Sequence, residues 1–250
     1  MSTLVTNKLG ALFAVIKVIA ATLALLFSIP LYARADSGHR TAYSEQDAIG
    51  EIVCREGLTE FRSFGTLVDN RRTVIAVGHF NVLESQNREI SPTKCFVRLG
   101  GGKQNQISFV VLAKGGGTLE RRLSRAVDWA VLRLDREAPA HIQPLSLGQN
   151  NTRPDTGPTA VTRMYSRSGS SIKCTVQGVR PNSILVWHNC RSSRGFSGLP
   201  LITGSDLHSE VYAVHVGATK AKGQAVRIAG ALRAAILSAK PSSYRLATSY

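Results

Sequence analysis

Short segments rich in β-branched and other apolar residues recur along the chain from about residue 50 onward, with turn signals between them. The turns contain Gly, Asn, Asp or Pro, as at Asp69-Asn70, Gly100–Gly102 and Pro181-Asn182. Many strands at short and even spacing predict a sandwich or barrels and not a parallel α/β sheet. The predicted strands are Phe64–Leu67, Thr73–Val77, Cys95–Leu99, Ile107–Leu112, Trp129–Leu134, Thr159–Tyr165, Ile172–Val179, Ile184–Trp187 and Val211–Val216.

One polar stretch near the middle of the chain divides these strands into two groups. Ser146 to Pro158 combines Pro, Gly and polar residues, and it predicts a crossing between two halves. We therefore place an N-terminal half at 36–147 and a C-terminal half at 148–250. The one convincing helix runs from Arg227 to Ala239, where apolar residues recur at 3.6-residue spacing, so one of its faces is expected to dock on the body.

The segment 1–35 has the organisation of a secretory signal peptide. Lys8 provides a positive start, and Val18 to Ile29 form an apolar run. Ala33-Arg34-Ala35 is a small-x-small cleavage site, and cleavage there would leave Asp36 as the new N-terminus. The stretch from Leu9 to Tyr32 is also long enough to span a bilayer. We expect a secreted or periplasmic protein, with an uncleaved membrane anchor as the alternative.

Four cysteines have a different meaning in an exported chain, because disulfides persist outside the cytosol. Cys54, Cys95, Cys174 and Cys190 have no paired CxxC spacing, which argues against a zinc site. Four cysteines allow three pairings. Because two lie early and two late, we predict Cys54–Cys95 and Cys174–Cys190, one disulfide in each half.

The chain is strongly basic, with 31 Lys and Arg against 16 Asp and Glu and a net charge of +15. Loss of the predicted signal peptide would remove three basic residues and leave +12. Such a surface favours anionic partners such as the cell envelope. The basic residues are scattered and not interleaved with aromatic residues, so nucleic acid is not an expected partner, and the sequence gives no sign of an obligate partner chain. The glycine triplets precede no predicted helix and the histidines have no metal-ligand spacing, so no cofactor or metal is expected.

Three residues have the chemistry needed for acyl transfer by a serine. Ser197 lies in a tight turn between glycines, in the sequence Gly195-Phe196-Ser197-Gly198, where the Gly195 and Ser197 amides can point at a common site. His79 ends the apolar run that starts at Thr73, and Asp128 precedes the predicted strand at Trp129–Leu134. A histidine can take the proton of the serine, and a carboxylate can orient that histidine.

The order and local sequence of these residues resemble those of the trypsin/chymotrypsin-like serine proteases. The order is His–Asp–Ser, as in that family. Ile75-Ala76-Val77-Gly78-His79 resembles its T-A-A-H motif, Asp128-Trp129-Ala130-Val131-Leu132 its D-I-A-L-L motif, and Gly195–Pro200 its G-D-S-G-G-P motif. The resemblance covers about residues 48 to 230.

This resemblance implies an all-β fold of two antiparallel six-stranded β-barrels, with the site in the cleft between them and a helix at the C-terminal end. It also implies catalytic roles: Ser197 as nucleophile, His79 as general base, and Asp128 as the residue that orients His79. The amides of Gly195 and Ser197 would form the oxyanion hole, and the substrates would be proteins or peptides.

The sequence departs from the family at several of these positions. Gly78 stands directly before the histidine, and Leu199 replaces a glycine. Phe196 replaces the aspartate that pairs with a newly cut N-terminus in animal enzymes, so activity should not require an internal activating cut. The alternative function is a binding protein of the cell envelope that keeps the fold with impaired catalysis.

The same resemblance places Arg191, Ser192 and His215 at the primary substrate pocket. Arg191, at the position that an aspartate occupies in enzymes selective for Lys or Arg, makes cleavage after those residues unfavourable. An acidic side chain could instead pair with Arg191, and Ser192 and His215 resemble the positions that hold glutamate in bacterial glutamate-specific relatives, so one expectation is a preference for an acidic side chain. The alternative is that Arg191 points to solvent and leaves a small neutral pocket.

Overall fold

The structure is a computed structural model of the chain. It describes residues 44–83, 88–101, 105–115, 125–148, 160–165, 170–179, 184–193, 195–204, 209–219 and 222–239. The predicted signal peptide and its cleavage site lie outside the described residues. Among the residues that are described, no helix is long and apolar enough to cross a membrane.

The first half of the chain forms an antiparallel sheet that curves into a nearly closed barrel. Its strands are β1 (Ile49–Glu56), β2 (Thr59–Leu67), β3 (Thr73–Ala76), β6 (Cys95–Arg98), β7 (Gln106–Ile107), β8 (Phe109–Lys114) and β9 (Ala130–Leu134). The strand order across the sheet is β7-β6-β1-β2-β3-β9-β8, and β8 approaches β6. Two further short strands, β4 (Val82–Leu83) and β5 (Arg88–Glu89), pair with each other.

The second half forms a closed barrel of six antiparallel strands. The strands of this sheet are β10 (Ser146–Leu147), β11 (Ala160–Tyr165), β12 (Ser171–Val179), β13 (Leu185–His188), β14 (Pro200–Thr203), β15 (Glu210–Ala218) and β16 (Gly223–Arg227). The strand order around the barrel is β15-β14-β11-β12-β13-β16, and the barrel closes by pairing of β16 with β15. Outside the barrel, β10 pairs with β15 in parallel.

The helical elements are few and short. The α-helix α1 spans Gly230–Ser238 and buries Leu232 and Ile236 against the apolar core, in contact with β9. Single 3-10 turns lie at Glu45–Ala48, Pro92–Lys94 and Arg125–Val127. The predicted helix at Arg227 to Ala239 therefore exists but starts later, because Arg227 pairs with Ala213 as the last residue of β16.

Burial alternates along only part of the strands. In β1, Gly50 and Ile52 are buried and Ile49 and Glu51 are only partly buried, as the period of two requires, whereas β3 is buried along its whole length. Both predicted disulfides are present: Cys54 pairs with Cys95 across β1 and β6, and Cys174 of β12 pairs with Cys190 after β13.

The predicted architecture of two antiparallel barrels with a C-terminal helix is confirmed. The sequence analysis missed the two-residue strands β4, β5 and β10 and the longer strands β1, β14 and β16. Each of the longer three contains Gly, Pro or charged residues that weaken a local strand signal, and each is completed by pairing with distant strands such as β6 and β15.

Candidate active site

Two neighbouring strands of the first barrel deliver a histidine and an aspartate to the same end of the sheet. Ala76, the last residue of β3, pairs with Ala130, the first residue of β9. The chain that leaves β3 therefore meets the chain that enters β9, and His79 comes to lie beside Asp128.

The His79–Asp128 pair is closely hydrogen-bonded and almost fully buried. His79 Nδ1 lies 2.6 Å from Asp128 Oδ2, and the backbone N–H of His79 donates to Oδ1 at 3.0 Å. His79 is 8% exposed and Asp128 is 2% exposed. Because an ionised carboxylate can only accept, Nδ1 carries the proton, and Nε2 of the neutral ring is left as an acceptor.

The close packing around residue 78 explains why this residue is a glycine. A Cβ at residue 78 would lie 3.1 Å from Asp128 Oδ1 and 3.1 Å from the backbone nitrogen of Trp129. The glycine thus lets the segment that carries His79 pass close to the Asp128 carboxylate. Although Gly78 departs from the family motif, it is compatible with the His79–Asp128 hydrogen bond.

Ser197 lies in a turn that only glycines could flank in this geometry. Gly195 and Gly198 have φ values of 84° and 94°, in the left-handed region. A Cβ on Gly198 would lie 1.8 Å from the carbonyl oxygen of Phe64. The Ser197 carbonyl accepts from the Phe64 N–H at 2.8 Å, and the Gly198 N–H donates to the His215 carbonyl at 2.8 Å. The turn is therefore attached to β2 of the first barrel and to β15 of the second.

The predicted oxyanion-hole donors are the amides of Gly195 and Ser197. Neither the Gly195 nor the Ser197 amide donates a hydrogen bond to another described residue. The Ser197 side chain lines the same cleft as His79. A hydrogen bond between nucleophile and base is often long in a free enzyme and shortens when substrate binds.

These groups line one cleft of about 780 Å³. Residues of both barrels contribute to its walls, including His79, Asp128, Ser192, Gly195, Ser197 and His215. Arg191 is exposed and is not among the lining residues. Of the three residues predicted for the substrate pocket, Ser192 and His215 therefore line the same cleft as the predicted catalytic residues, and Arg191 does not.

A second histidine lies directly behind His215. The backbone N–H of Cys190 donates to His188 Nδ1 at 3.2 Å, so the proton of neutral His188 is on Nε2. That nitrogen lies 3.0 Å from His215 Nδ1 and donates to it. His215 therefore carries its own proton on Nε2, which leaves a hydrogen-bond donor on the residue that lines the cleft.

Both rings are neutral at physiological pH. Burial lowers the pKa of His188 to about 4, although the neighbouring backbone of Gln224 opposes the shift. Burial also lowers the pKa of His215 to about 3, with further contributions from His188, Arg125 and His79. At His215 the cleft thus presents a neutral hydrogen-bond donor and not a buried imidazolium.

This architecture is shared with solved structures of other proteins. No protein-family model and no curated protein matches the chain, but solved structures do. A thermostable serine protease, AL20, from an extremophilic microorganism superposes with a TM-score of 0.58 at 13% identity, over 77% of this chain and 96% of that one. The active form of the Rv3671c protease from M. tuberculosis gives 0.54 at 15% identity, over 78% and 81%. A Glu endopeptidase in complex with MPD gives 0.59 at 15% identity, over 81% and 94%.

The chain has the trypsin-like two-barrel fold. His79, Asp128 and Ser197 all line the cleft between the two barrels. They lie on the three segments that carry the sequence motifs.

Three cationic residues in or near the cleft, Arg62, Lys114 and Arg125, were missed by the sequence analysis. Lys114, at the end of β8, lies over the Phe80 ring at 4.7 Å and donates to Asn81 Oδ1 at 3.0 Å. Burial lowers the pKa of Lys114 to about 8, while the charge of Asp128 opposes this shift. Arg125 lines the cleft itself. No local motif marks Lys114 or Arg125, because Lys114 is brought to the site by the pairing of β8 with β9, and Arg125 is held there by hydrogen bonds to Gln224 and Ala218.

The sequence analysis assigned no role to the remaining histidines outside the cleft. His141 is exposed, and His39 and His208 lie outside the described residues. Across the part of the chain that the structure describes, no group of three or more His, Cys, Asp or Glu residues could hold a metal ion.

Proposed function

We propose that this protein is a serine endopeptidase that hydrolyses peptide bonds through His79, Asp128 and Ser197. The observation that carries the proposal is the buried His79–Asp128 pair in one cleft with Ser197, whose turn is fixed by two left-handed glycines. The trypsin-like fold and the serine proteases that share it support the same chemistry.

In this mechanism Ser197 Oγ attacks the carbonyl carbon of the scissile peptide bond, and its proton passes to His79 Nε2. The negative charge that develops on the carbonyl oxygen is stabilised by the N–H groups of Gly195 and Ser197. The imidazolium of His79 then gives the proton to the leaving amine, and the peptide C–N bond breaks to leave an acyl-enzyme. Water attacks the ester in the same way and regenerates Ser197.

Asp128 orients His79 through two hydrogen bonds. Its two oxygens hold the ring and the backbone of His79, which fixes the tautomer and stabilises the imidazolium while it exists. Because the carboxylate is buried, its interaction with the imidazolium is less screened by water than a surface pair would be.

We further propose that the enzyme prefers a glutamate at the scissile residue. His215 Nε2–H and the Ser192 hydroxyl can donate to a carboxylate, and the His188–His215 chain orients the first of these donors. A Glu endopeptidase is among the solved structures with this fold. Arg191 is exposed, so this preference would rest on His215 and Ser192 alone.

The decisive experiment for the reaction is labelling with a fluorophosphonate, which reports an activated serine without knowledge of the substrate. We expect labelling of the unsubstituted protein and none of Ser197→Ala, and cleavage of a peptide library that is lost in the same variant. Absence of labelling in a folded protein would instead favour the envelope-binding alternative, in which the fold is kept and catalysis is impaired.

The glutamate preference is tested with substrates that differ only in Glu or Gln at the scissile residue. We expect faster cleavage after Glu, loss of that ratio in His215→Gln, and no change in the ratio in Arg191→Ala, which is the matched control. Equal rates for the two substrates in the unsubstituted enzyme would refute the preference while leaving the protease proposal intact.

We also propose that the mature protein is exported and needs no internal activating cut. Its two disulfides are stable in an oxidising compartment. Phe196, at the position of the zymogen aspartate, is half-buried and packs against the core of the second barrel. Mass spectrometry of exported, active protein should show an N-terminus at Asp36, and activity that appears only after a further cut would contradict this proposal.

A further inference from the structure

Arg125 belongs to the first barrel but is held by the second. It starts the 3-10 turn that ends at Val127, directly before Asp128. Its side chain crosses the cleft, where Nη1 donates to Gln224 Oε1 at 2.6 Å and Nη2 donates to the Ala218 carbonyl at 3.2 Å. Two hydrogen bonds to separate acceptors fix the plane of the guanidinium, so the charge has a defined place in the cleft.

Gly217 shows how closely the guanidinium covers this part of the wall. A Cβ on Gly217 would lie 2.8 Å from Arg125 Nη1 and 3.0 Å from its Cζ. Gly217 also has a φ of 152°, which side chains rarely adopt. The surface that a substrate would meet beside Gly217 is therefore the arginine itself, with its charge.

This charge has no carboxylate partner within the described residues. Another arginine of the same cleft, Arg62, is paired with Glu51 at 3.2 Å and with Glu60 at 2.9 Å. Among the same described residues, Arg125 bonds to the neutral oxygens of Gln224 and Ala218. Of these two cleft arginines, Arg125 is therefore the one whose described partners leave its charge available to attract an anion.

The position along β15 indicates which part of a substrate Arg125 would meet. His215 is bonded through its carbonyl to the Gly198 amide, next to the nucleophile, and Ala218 lies three residues further along the strand. A strand advances by about 3.3 Å per residue, so Arg125 lies about 10 Å from the level of the scissile residue. An extended peptide beside β15 would bring the second to fourth residues of its acyl side to this distance.

We propose that Arg125 is a second specificity-determining residue, which selects an acidic side chain within the three residues that precede the scissile residue. This inference rests on the proposed function, because it takes the cleft to be a peptide-binding site. It is separate from the glutamate preference at His215, since it concerns other residues of the substrate and another group of the protein.

The test measures binding as well as cleavage, so that the two proposals can fail separately. The probes are alanine-based, fluorescein-labelled peptides with Glu at the scissile residue and with either Glu or Gln at one of the three preceding positions. Affinities are measured by fluorescence anisotropy with the Ser197→Ala variant, which cannot cleave by the proposed mechanism, and cleavage rates with the unsubstituted serine.

At one or more of these positions we expect the Glu peptide to bind about five- to tenfold more tightly than its Gln partner, as for a partly solvated charge pair. The advantage should disappear in Arg125→Gln, decrease in Arg125→Lys, and shrink with added salt. Arg133→Gln is the matched control, because Arg133 is exposed on β9 and does not line the cleft.

Equal affinity for Glu and Gln peptides at all three positions, or an advantage that persists in Arg125→Gln, would overturn the inference. Thermal melts check that each variant is folded, and Arg125→Lys keeps the test valid if Arg125→Gln is unstable. A Glu advantage that depends on Arg125, in a protein that neither cleaves nor labels, would support this subsite and refute the protease proposal.

Discussion

The buried pair His188–His215 makes the stability of the protein depend on pH in a way that can be calculated. Both residues are almost inaccessible, at 0% and 2% exposure, and both are neutral when folded. Their pKa values are lowered to about 4 and about 3, first of all by burial, whereas an unfolded histidine titrates near 6.5. Acidification therefore protonates the unfolded chain before the folded one.

The sign and size follow from this difference. Below a pH of about 6.5 the unfolded state binds more protons than the native state, so the free energy of unfolding falls as the pH falls. Acidification from about pH 7.5 to about pH 5 should cost about 2 kcal/mol for each histidine, or about 4 kcal/mol for the pair. The loss continues down to the folded pKa values, and it is complete only below them.

The assay is urea denaturation followed by tryptophan fluorescence, with the disulfides intact, at a series of pH values across this range. His188→Gln should be less stable at neutral pH but should lose about 2 kcal/mol less on acidification than the unsubstituted protein. His141→Gln, at an exposed site, is the matched control and should follow the unsubstituted protein. A pH dependence that is the same in His188→Gln and the control would refute the argument.

Two further predictions concern the catalytic groups and the turn that carries Ser197. Asp128→Asn should lower kcat by several orders of magnitude with little change in KM, because the amide favours the wrong tautomer of His79, and retention of near-normal hydrolysis would contradict that role. Gly198→Ala should destabilise the fold by at least about 2 kcal/mol and abolish fluorophosphonate labelling, because a Cβ would add a clash with the Phe64 carbonyl to the left-handed strain. Gly57→Ala, which has a φ of 57° but open space around its Cβ position, isolates the strain and should cost only about 1 kcal/mol in the same denaturation assay.

Several features could be predicted from the sequence because they are local or repeat with a simple period. Strands such as β9 are marked by consecutive apolar residues, and a turn between Gly195 and Gly198 is marked by its glycines. The cysteines could be paired because the two early ones and the two late ones divide with the strands. The two-barrel prediction needed the additional resemblance of three ordered motifs to a known family.

The structure decided what depends on contacts between distant segments. β16 has a weak signal of its own, yet it closes the second barrel through pairing with β13 and β15. The sequence could not show that Arg191 is exposed or that Arg125 lines the cleft. The direction of a side chain depends on the backbone that carries it. His188 and His215 are 27 residues apart in sequence, and only the folding of their strands into one barrel brings their rings into hydrogen-bond distance. Local sequence thus determined which segments form strands and turns, while burial and strand pairing determined which charged and titratable groups meet, because those interactions exist only after the chain has closed on itself.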